Sequence, residues 1–437
     1  MGLDGMTQGR AFGVRARPRR SEIYNLQFEI VNFAVVAVVA IGLLVAGGRL
    51  TAQRTAPGTA AIDAALERAV AQRDVPGIVA IAADRRGVFY SGAAGVASGQ
   101  PARPMSVDAI FGIASMTKAV TSVALMQLVD EKKVGLDDPA SKYLPAFATV
   151  QVITSFDRKT GAYTLKPASR PITIRHLLTH TSGLGYSFTS PIVRDFKPRS
   201  GDTFEVGPLL FEPGADWIYG TSTDWVGRLV ETVSGKDLDA CFRERIFTPL
   251  GMHDTHFNVP GAARPRLAPA WRRQADGTLI ELPLRPPQRV TQFTGGGGLS
   301  STAADYITFL RMLLNGGQLN GARILSAASV EEMSRNQIGA VDVHAVKTAQ
   351  PQLSDDFSFV TEGRDKWGLG FLISGEAVRG LRSAGSLSWG GINNTYFWLD
   401  PSRGIAGVIL MQFLPFADSK ALAVYRDFER AVYETHR

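Results

Sequence analysis

FGIASMTKAVTSVALMQLVDEKKVGL, residues 111–136, is the stretch on which the fold turns. From Ser115 to Val129 it is apolar on nearly every face of a helix, the pattern of a helix buried between lobes rather than laid on a surface. Within it, Ser115-Met116-Thr117-Lys118 sets a hydroxyl and an ammonium at i and i+3. That spacing puts both groups on one face, close enough to exchange a proton. Ser115 at the helix N-terminus gains from the helix dipole, which favours the alkoxide or oxyanion of acyl transfer. A buried ammonium without partner or task is costly, so Lys118 reads as a working residue. Taken alone, the same four residues also describe a capping serine and a snorkelling lysine.

Outward from this helix, Ile62, Ala65, Leu66, Ala69 and Val70 recur at helical spacing, and Val75-Pro76-Gly77 ends that helix. GIVAIAA (77–83) and VFYSGAA (88–94) read as a β-hairpin. Asp138-Pro139 predicts a helix start, residues 150–170 an inserted polar loop, and 173–180 and 224–247 helices. GGGG (295–298) reads as tight packing beside a cleft. Thr302 caps a helix, with Asp305 completing a capping box. WGLGFLI (367–373), NTYFWLD (394–400) and GIAGVILMQ (404–412) read as strands, followed by a last helix capped by Asp418. Strands thus bracket a helical middle. The expected fold is α+β: an antiparallel sheet flanked by helices plus a mostly helical lobe, preceded by an N-terminal hydrophobic helix. The sheet lobe is expected at about 59–112 and 330–437 and the helical lobe at about 113–329, together one domain over 59–437.

The ordered set of motifs is more specific than any member of it. Residues 111–145, ITIRHLLTHTSGL (172–184), WIYGTSTDWVGRLVETVSG (217–235), GMHDT (251–255) and GGGGLSSTAADYITFLRMLLNGG (295–317) together resemble the serine β-lactamase-like hydrolases of the class C type. Within that β-lactamase/transpeptidase-like superfamily the sequence is most similar to the family VIII carboxylesterases. The resemblance implies Ser115 as nucleophile, Lys118 as the lysine that helps deprotonate it, and Tyr219 as the tyrosine that relays the proton to the leaving group. It matches Trp389-Gly390-Gly391 to the strand that carries Lys-Thr-Gly in β-lactamases. The backbone N–H of Ile392 would then join that of Ser115 as an oxyanion hole.

Two departures bear on substrate. Tyr219-Gly220-Thr221 stands where β-lactamases carry Tyr-x-Asn, and Trp389 stands where they carry a lysine that binds the substrate's carboxylate. Both favour neutral esters. The expected activity is therefore cleavage of short-chain carboxylic esters through a Ser115 acyl-enzyme, with weak β-lactam hydrolysis as a side activity. The alternatives are a β-lactamase or D-Ala-D-Ala peptidase-like enzyme, or a noncatalytic membrane-tethered scaffold of the same fold. The expected partner is a small-molecule ester, with no cofactor, metal or nucleic acid; the sequence leaves the oligomeric state open.

Composition agrees with a globular enzyme. The 437 residues are 45% hydrophobic and 20% charged; of the net charge of +7, residues 1–48 carry +2, and the remaining +5 is spread over the body with no Lys/Arg run of the kind that marks a nucleic-acid surface. The single cysteine, Cys241, excludes an internal disulfide framework. His176 and His180 stand at i and i+4 like a zinc pair, but HLLTH lacks the glutamate of H-E-x-x-H. Arg10, Arg15, Arg17, Arg19 and Arg20 precede an uncharged stretch, Ile30 to Gly48, of roughly membrane-spanning length. Residues 1–48 therefore read as a signal or membrane anchor, 49–58 as a linker, and the body as exported, periplasmic or anchored facing the periplasm.

Overall fold

The computed structural model describes residues 59–283, 288–358 and 364–436. By chain contacts the described residues fall into one compact unit, within 59–197 and 206–436, and a second that includes 198–205. Of the second, only the short turn-rich piece 198–205 is described, closed by the Asp202 N–H on the Arg199 carbonyl at 3.0 Å. The expected N-terminal hydrophobic helix, the signal or anchor over 1–48 and the linker over 49–58 all lie outside the described residues.

In the first unit an eight-stranded antiparallel sheet draws on both ends of the chain. Its strands are β1 (Gly77–Asp84), β2 (Val88–Gly99), β3 (Ala102–Pro104), β4 (Lys366–Trp367), β5 (Leu372–Ile373), β6 (Leu387–Gly391), β7 (Thr395–Asp400) and β8 (Ile405–Leu410). The order is β4-β5-β6-β7-β8-β1-β2-β3, so β1 and β8 meet inside the sheet, Val79 opposite Leu410 and Asp84 opposite Ile405. Every residue of β1 from Gly77 to Ala83 is buried, which explains why GIVAIAA runs apolar instead of alternating: both faces of the sheet are covered. The covering helices are α1 (Ala60–Ala71), α4 (Ala303–Leu314) and α5 (Ser419–Thr435), of which α1 packs on α5 and α4 on β1 and β8. Two further helices, α2 (Thr117–Asp130) and α3 (Ser222–Ser234), pack on each other, and α2 is buried from Thr117 through Leu128.

Several local expectations are corrected. Asp138-Pro139 opens only a short 3₁₀ turn, Ala140–Lys142, because the Asp138 carboxylate accepts from the Gly135 N–H, Lys142 and Tyr143 instead of capping a helix. Residues 150–170 form a hairpin, Gln151–Phe156 with Tyr163–Pro167, whose bonded Thr154, Ser155 and Thr164 hydroxyls look like loop chemistry in sequence. WGLGFLI is two short strands around Gly370, whose φ of 97° breaks a continuous strand. The helical stretch over 224–247 is broken at Gly235, in the left-handed conformation, and resumes from Leu238 to Phe247. Thr302 does cap α4, but the Asp305 carboxylate accepts from Asp254 N and Thr255 Oγ1 rather than closing a capping box.

One buried ion pair ties α5 to the loop ahead of β6. Arg382 donates to Glu429 from Nε at 2.8 Å and from Nη2 at 2.6 Å, and to the Tyr425 hydroxyl at 2.6 Å. Both charged side chains are almost fully buried. Glu429→Gln strands the guanidinium and is expected to lower unfolding free energy by about 3–5 kcal/mol, read by urea denaturation. A change within error of the wild type would refute the assignment of this pair as a buried, fully used contact.

Candidate active site

The nucleophile candidate sits on strained backbone. Ser115 lies in a tight turn, Ala114–Met116, that runs directly into α2, and Ala114 is held at φ 43°. That is the left-handed region, which an alanine adopts only when its surroundings force it, typically at a cost of about 1–3 kcal/mol. The surroundings are visible. A Cβ added at Gly391 would stand 2.2 Å from the Ile113 carbonyl oxygen, so β6 runs hard against the turn. On the other side the Ile113 N–H donates to Leu299 O at 3.0 Å, and the Tyr306 hydroxyl donates to Met116 O at 2.9 Å.

Lys118, one turn on, is 1% exposed. Its Nζ donates to Ser115 Oγ at 3.1 Å, to the Tyr186 hydroxyl at 3.0 Å and to the Gly296 carbonyl at 2.7 Å. An ammonium has three protons, and these acceptors take all three. The glycine run explains the third. Thr121 Oγ1 donates to Gly295 O at 2.6 Å, and a Cβ on Gly295 would lie 2.4 Å from Thr223 O. Only glycine lets this segment slide between α2 and α3 to present a carbonyl to the lysine.

Tyr219 is buried beside the same amine, with Nζ 4.8 Å from its ring centre. Its hydroxyl accepts from the Trp389 indole N–H at 3.3 Å. The phenol that touches the amine directly is Tyr186, a residue the sequence did not single out. Gly220 next to Tyr219 is dictated by space: a Cβ there would fall 1.8 Å from Leu184 O. His180 supports this corner. Burial, with Lys118 nearby, holds its imidazole pKa well below the ordinary value, and the neutral ring accepts from the Gly220 N–H at 3.4 Å. His176 faces elsewhere, its Nδ1 accepting from the Thr173 N–H at 3.2 Å within a helix-capping box.

Of the remaining expected residues, Trp389 is 3% exposed and stands edge-on to Trp367 at 4.6 Å. It is a wall of the site, and its indole N–H donates to Tyr219. Gly390 and Gly391 bring β6 close, a Cβ on Gly390 meeting Tyr396 at 2.7 Å, and half-buried Ile392 follows at the end of the strand that abuts the Ser115 turn. Arg158, in the 151–167 hairpin, is paired with Asp195 at 3.0 Å. Trp389→Phe keeps the ring packing but removes the donor to Tyr219. A neutral hydrogen bond contributes about 0.5–1.5 kcal/mol, so kcat is expected to fall about two- to tenfold. An unchanged kcat would show that the indole N–H does not position Tyr219.

Asp224, on the first turn of α3, completes the surroundings. Its Oδ1 accepts from the Gly296 N–H at 2.9 Å. A Cβ on Gly296 would lie 2.8 and 2.9 Å from the two carboxylate oxygens and 2.9 Å from the Tyr186 hydroxyl, so lysine, phenol and carboxylate converge there. Burial pushes the Asp224 carboxyl up, against the pull of Lys118 and the Gly296 hydrogen bond, and raises the Tyr186 hydroxyl well above its usual value. Chemically, the arrangement offers a hydroxyl on a helix N-terminus, an amine to receive its proton, and phenols to pass the proton on.

A strained serine at the head of a buried helix, a lysine one turn on, and an antiparallel sheet built from both chain ends define a serine β-lactamase-like fold. The chain belongs to the Beta-lactamase family, whose model matches residues 62–431. It is 30% identical to monacolin J acid methylbutanoyltransferase of Aspergillus terreus over 90% of this chain and 99% of that protein. It is equally 30% identical to lovastatin esterase of Penicillium rubens, over 86% of this chain and 98% of that one. Among solved structures, unliganded simvastatin synthase of Aspergillus terreus matches at a TM-score of 0.74 and 28% identity, covering 86% of this chain and 98% of that one. The family is thus one of hydrolases and acyltransferases, and the protein is an enzyme of that family.

The expectation of location is corrected by the same findings. Relatives matched over nearly their whole length are fungal acyltransferases and esterases, and export is not indicated. Among the described residues no helix is long and apolar enough to cross a membrane.

Proposed function

We propose that the protein moves a short acyl group from a carboxylic ester through a covalent intermediate on Ser115, releasing it to water or to an alcohol. The observation that carries this reading is the Ser115 Oγ–Lys118 Nζ contact of 3.1 Å, with the amine otherwise enclosed by Tyr186 and the Gly296 carbonyl. In acylation, Lys118 as free amine takes the Ser115 proton while Oγ bonds the ester carbonyl. The N–H groups of Ser115 and Ile392 stabilise the oxyanion, and Tyr219 passes the proton to the departing alkoxide. Deacylation runs the same steps with water or an acceptor alcohol as nucleophile.

The absence of Lys from the Trp389 position argues for uncharged esters over β-lactams, because a substrate carboxylate there gains no charge-assisted contact. Such a contact is worth about 1.5–3 kcal/mol, one to two decades in rate. A second reading, transfer in preference to hydrolysis, is favoured by the likeness to a methylbutanoyltransferase alongside an esterase. The test is a panel of p-nitrophenyl butyrate, nitrocefin and a D-Ala-D-Ala peptide, with and without added alcohols. Preference for the butyrate supports the ester reading, and new ester formed from the alcohol supports transfer. Preference for nitrocefin would overturn both.

A further inference from the structure

The three acceptors around Lys118 pose a problem that the acyl-transfer reading leaves open. An ammonium that donates to Ser115, Tyr186 and Gly296 has no lone pair with which to take the Ser115 proton. One proton must leave first. Gly296 offers only a carbonyl oxygen, and Ser115 is the group to be deprotonated. Tyr186 alone leads onward: its hydroxyl accepts from Lys118, and it faces the Asp224 carboxylate over Gly296, where a Cβ would stand 2.9 Å from the phenol oxygen and 2.8 and 2.9 Å from the carboxylate oxygens.

We propose that Lys118 and Asp224 share one proton through the Tyr186 hydroxyl, and that Asp224 is the positioning residue that leaves Lys118 as the free amine for catalysis. The transfer balances. A Lys118 N–H bond breaks as that proton bonds the Tyr186 oxygen, and the Tyr186 O–H proton passes to an Asp224 carboxylate oxygen. The products are a neutral amine, an unchanged phenol and a carboxylic acid, with no net change of charge. The partly buried setting favours this neutral pair over the ion pair, and the raised Asp224 carboxyl points the same way.

The other groups facing the wire leave it intact. From the loop before α3 comes Tyr219, whose hydroxyl is engaged by Trp389. His180, after the Ile174–Leu178 helix, is held neutral by burial. Arg228, one turn along α3 from Asp224, is paired with Glu231 at 3.1 Å. From α2 there is only Lys118 itself with Ser115.

This inference rests on the Ser115 acyl-enzyme, so the ester used must first lose turnover in Ser115→Ala; if it does not, that reading fails before this one is tested. With a shared proton, forming the amine releases nothing to solvent, and kcat/KM is flat across neutral pH. In Asp224→Asn the amine forms only by losing a proton to solvent, so kcat/KM should rise with pH, by up to about tenfold per unit. Tyr186→Phe keeps both charged groups and should lower the level without adding a slope. A wild-type profile that already climbs about tenfold per unit through neutrality overturns the proposal. So does an Asp224→Asn profile that is lower but equally flat, the signature of a carboxylate that only holds the Gly296 segment. If the asparagine variant does not fold, the wild-type profile decides alone.

Discussion

Lys118→Met is expected to lower kcat/KM for p-nitrophenyl butyrate by at least about a thousandfold, with little loss of folded protein. General acid–base groups typically contribute about 10²–10⁴ in rate, and a nucleophile that depends on its base loses both functions together. Methionine fills most of the lysine's volume on a helix buried from Thr117 through Leu128. The substitution leaves the Tyr186 hydroxyl and the Gly296 carbonyl without the donor they now share, so a modest fall in Tm should accompany the loss. Activity within tenfold of wild type, measured on protein with a native circular dichroism spectrum, would remove Lys118 from the mechanism.

Gly391→Ala should cost about 10²–10³ in kcat through a different route. The added methyl would stand 2.2 Å from Ile113 O and 2.5 Å from Thr395 Oγ1, distances no Cβ sustains. Backbone lies on one side and the neighbouring strand on the other, so β6 must move off the Ser115 turn. That movement separates the Ile392 N–H from the Ser115 N–H and opens the proposed oxyanion hole, where one lost donor typically costs that much. Overpacking of this kind also destabilises by about 1–3 kcal/mol. The diagnostic is a fall in kcat at nearly constant KM. A variant that is merely less stable but turns over normally would place the oxyanion donors elsewhere.

These two residues differ in how far sequence alone could reach them. Ser115 and Lys118 were legible because their relation is local, three residues along one helix face. Gly390 and Gly391 were legible only as a motif; the reason for them, the approach of β6 to the Ile113 carbonyl, exists only once the chain has folded. Tyr186 and Asp224 were invisible for the same reason. Their partners on α2 and in the 295–298 segment are remote in sequence, and a tyrosine in GLGYSF carries no local mark of those contacts. The left-handed Ala114 was equally hidden, since an alanine advertises no such backbone.

The sheet shows the same division. Its long strands were readable because strands buried on both faces run apolar, as in β1 and β8. The 151–167 hairpin was not, because its outward face is built of threonine and serine that pair across the strands. Trp389 was legible as part of a motif, while its indole N–H bond to Tyr219, far away in sequence, exists only in the fold.

The central claim is that acyl transfer passes through Ser115. Its most direct test is to mix the protein with p-nitrophenyl butyrate, quench in acid within the first turnovers, and map the adduct by peptide mass spectrometry. The account predicts one butyryl group on the peptide that carries Ser115, and none in Ser115→Ala. A butyryl group on any other residue, or undiminished turnover by Ser115→Ala, would contradict it.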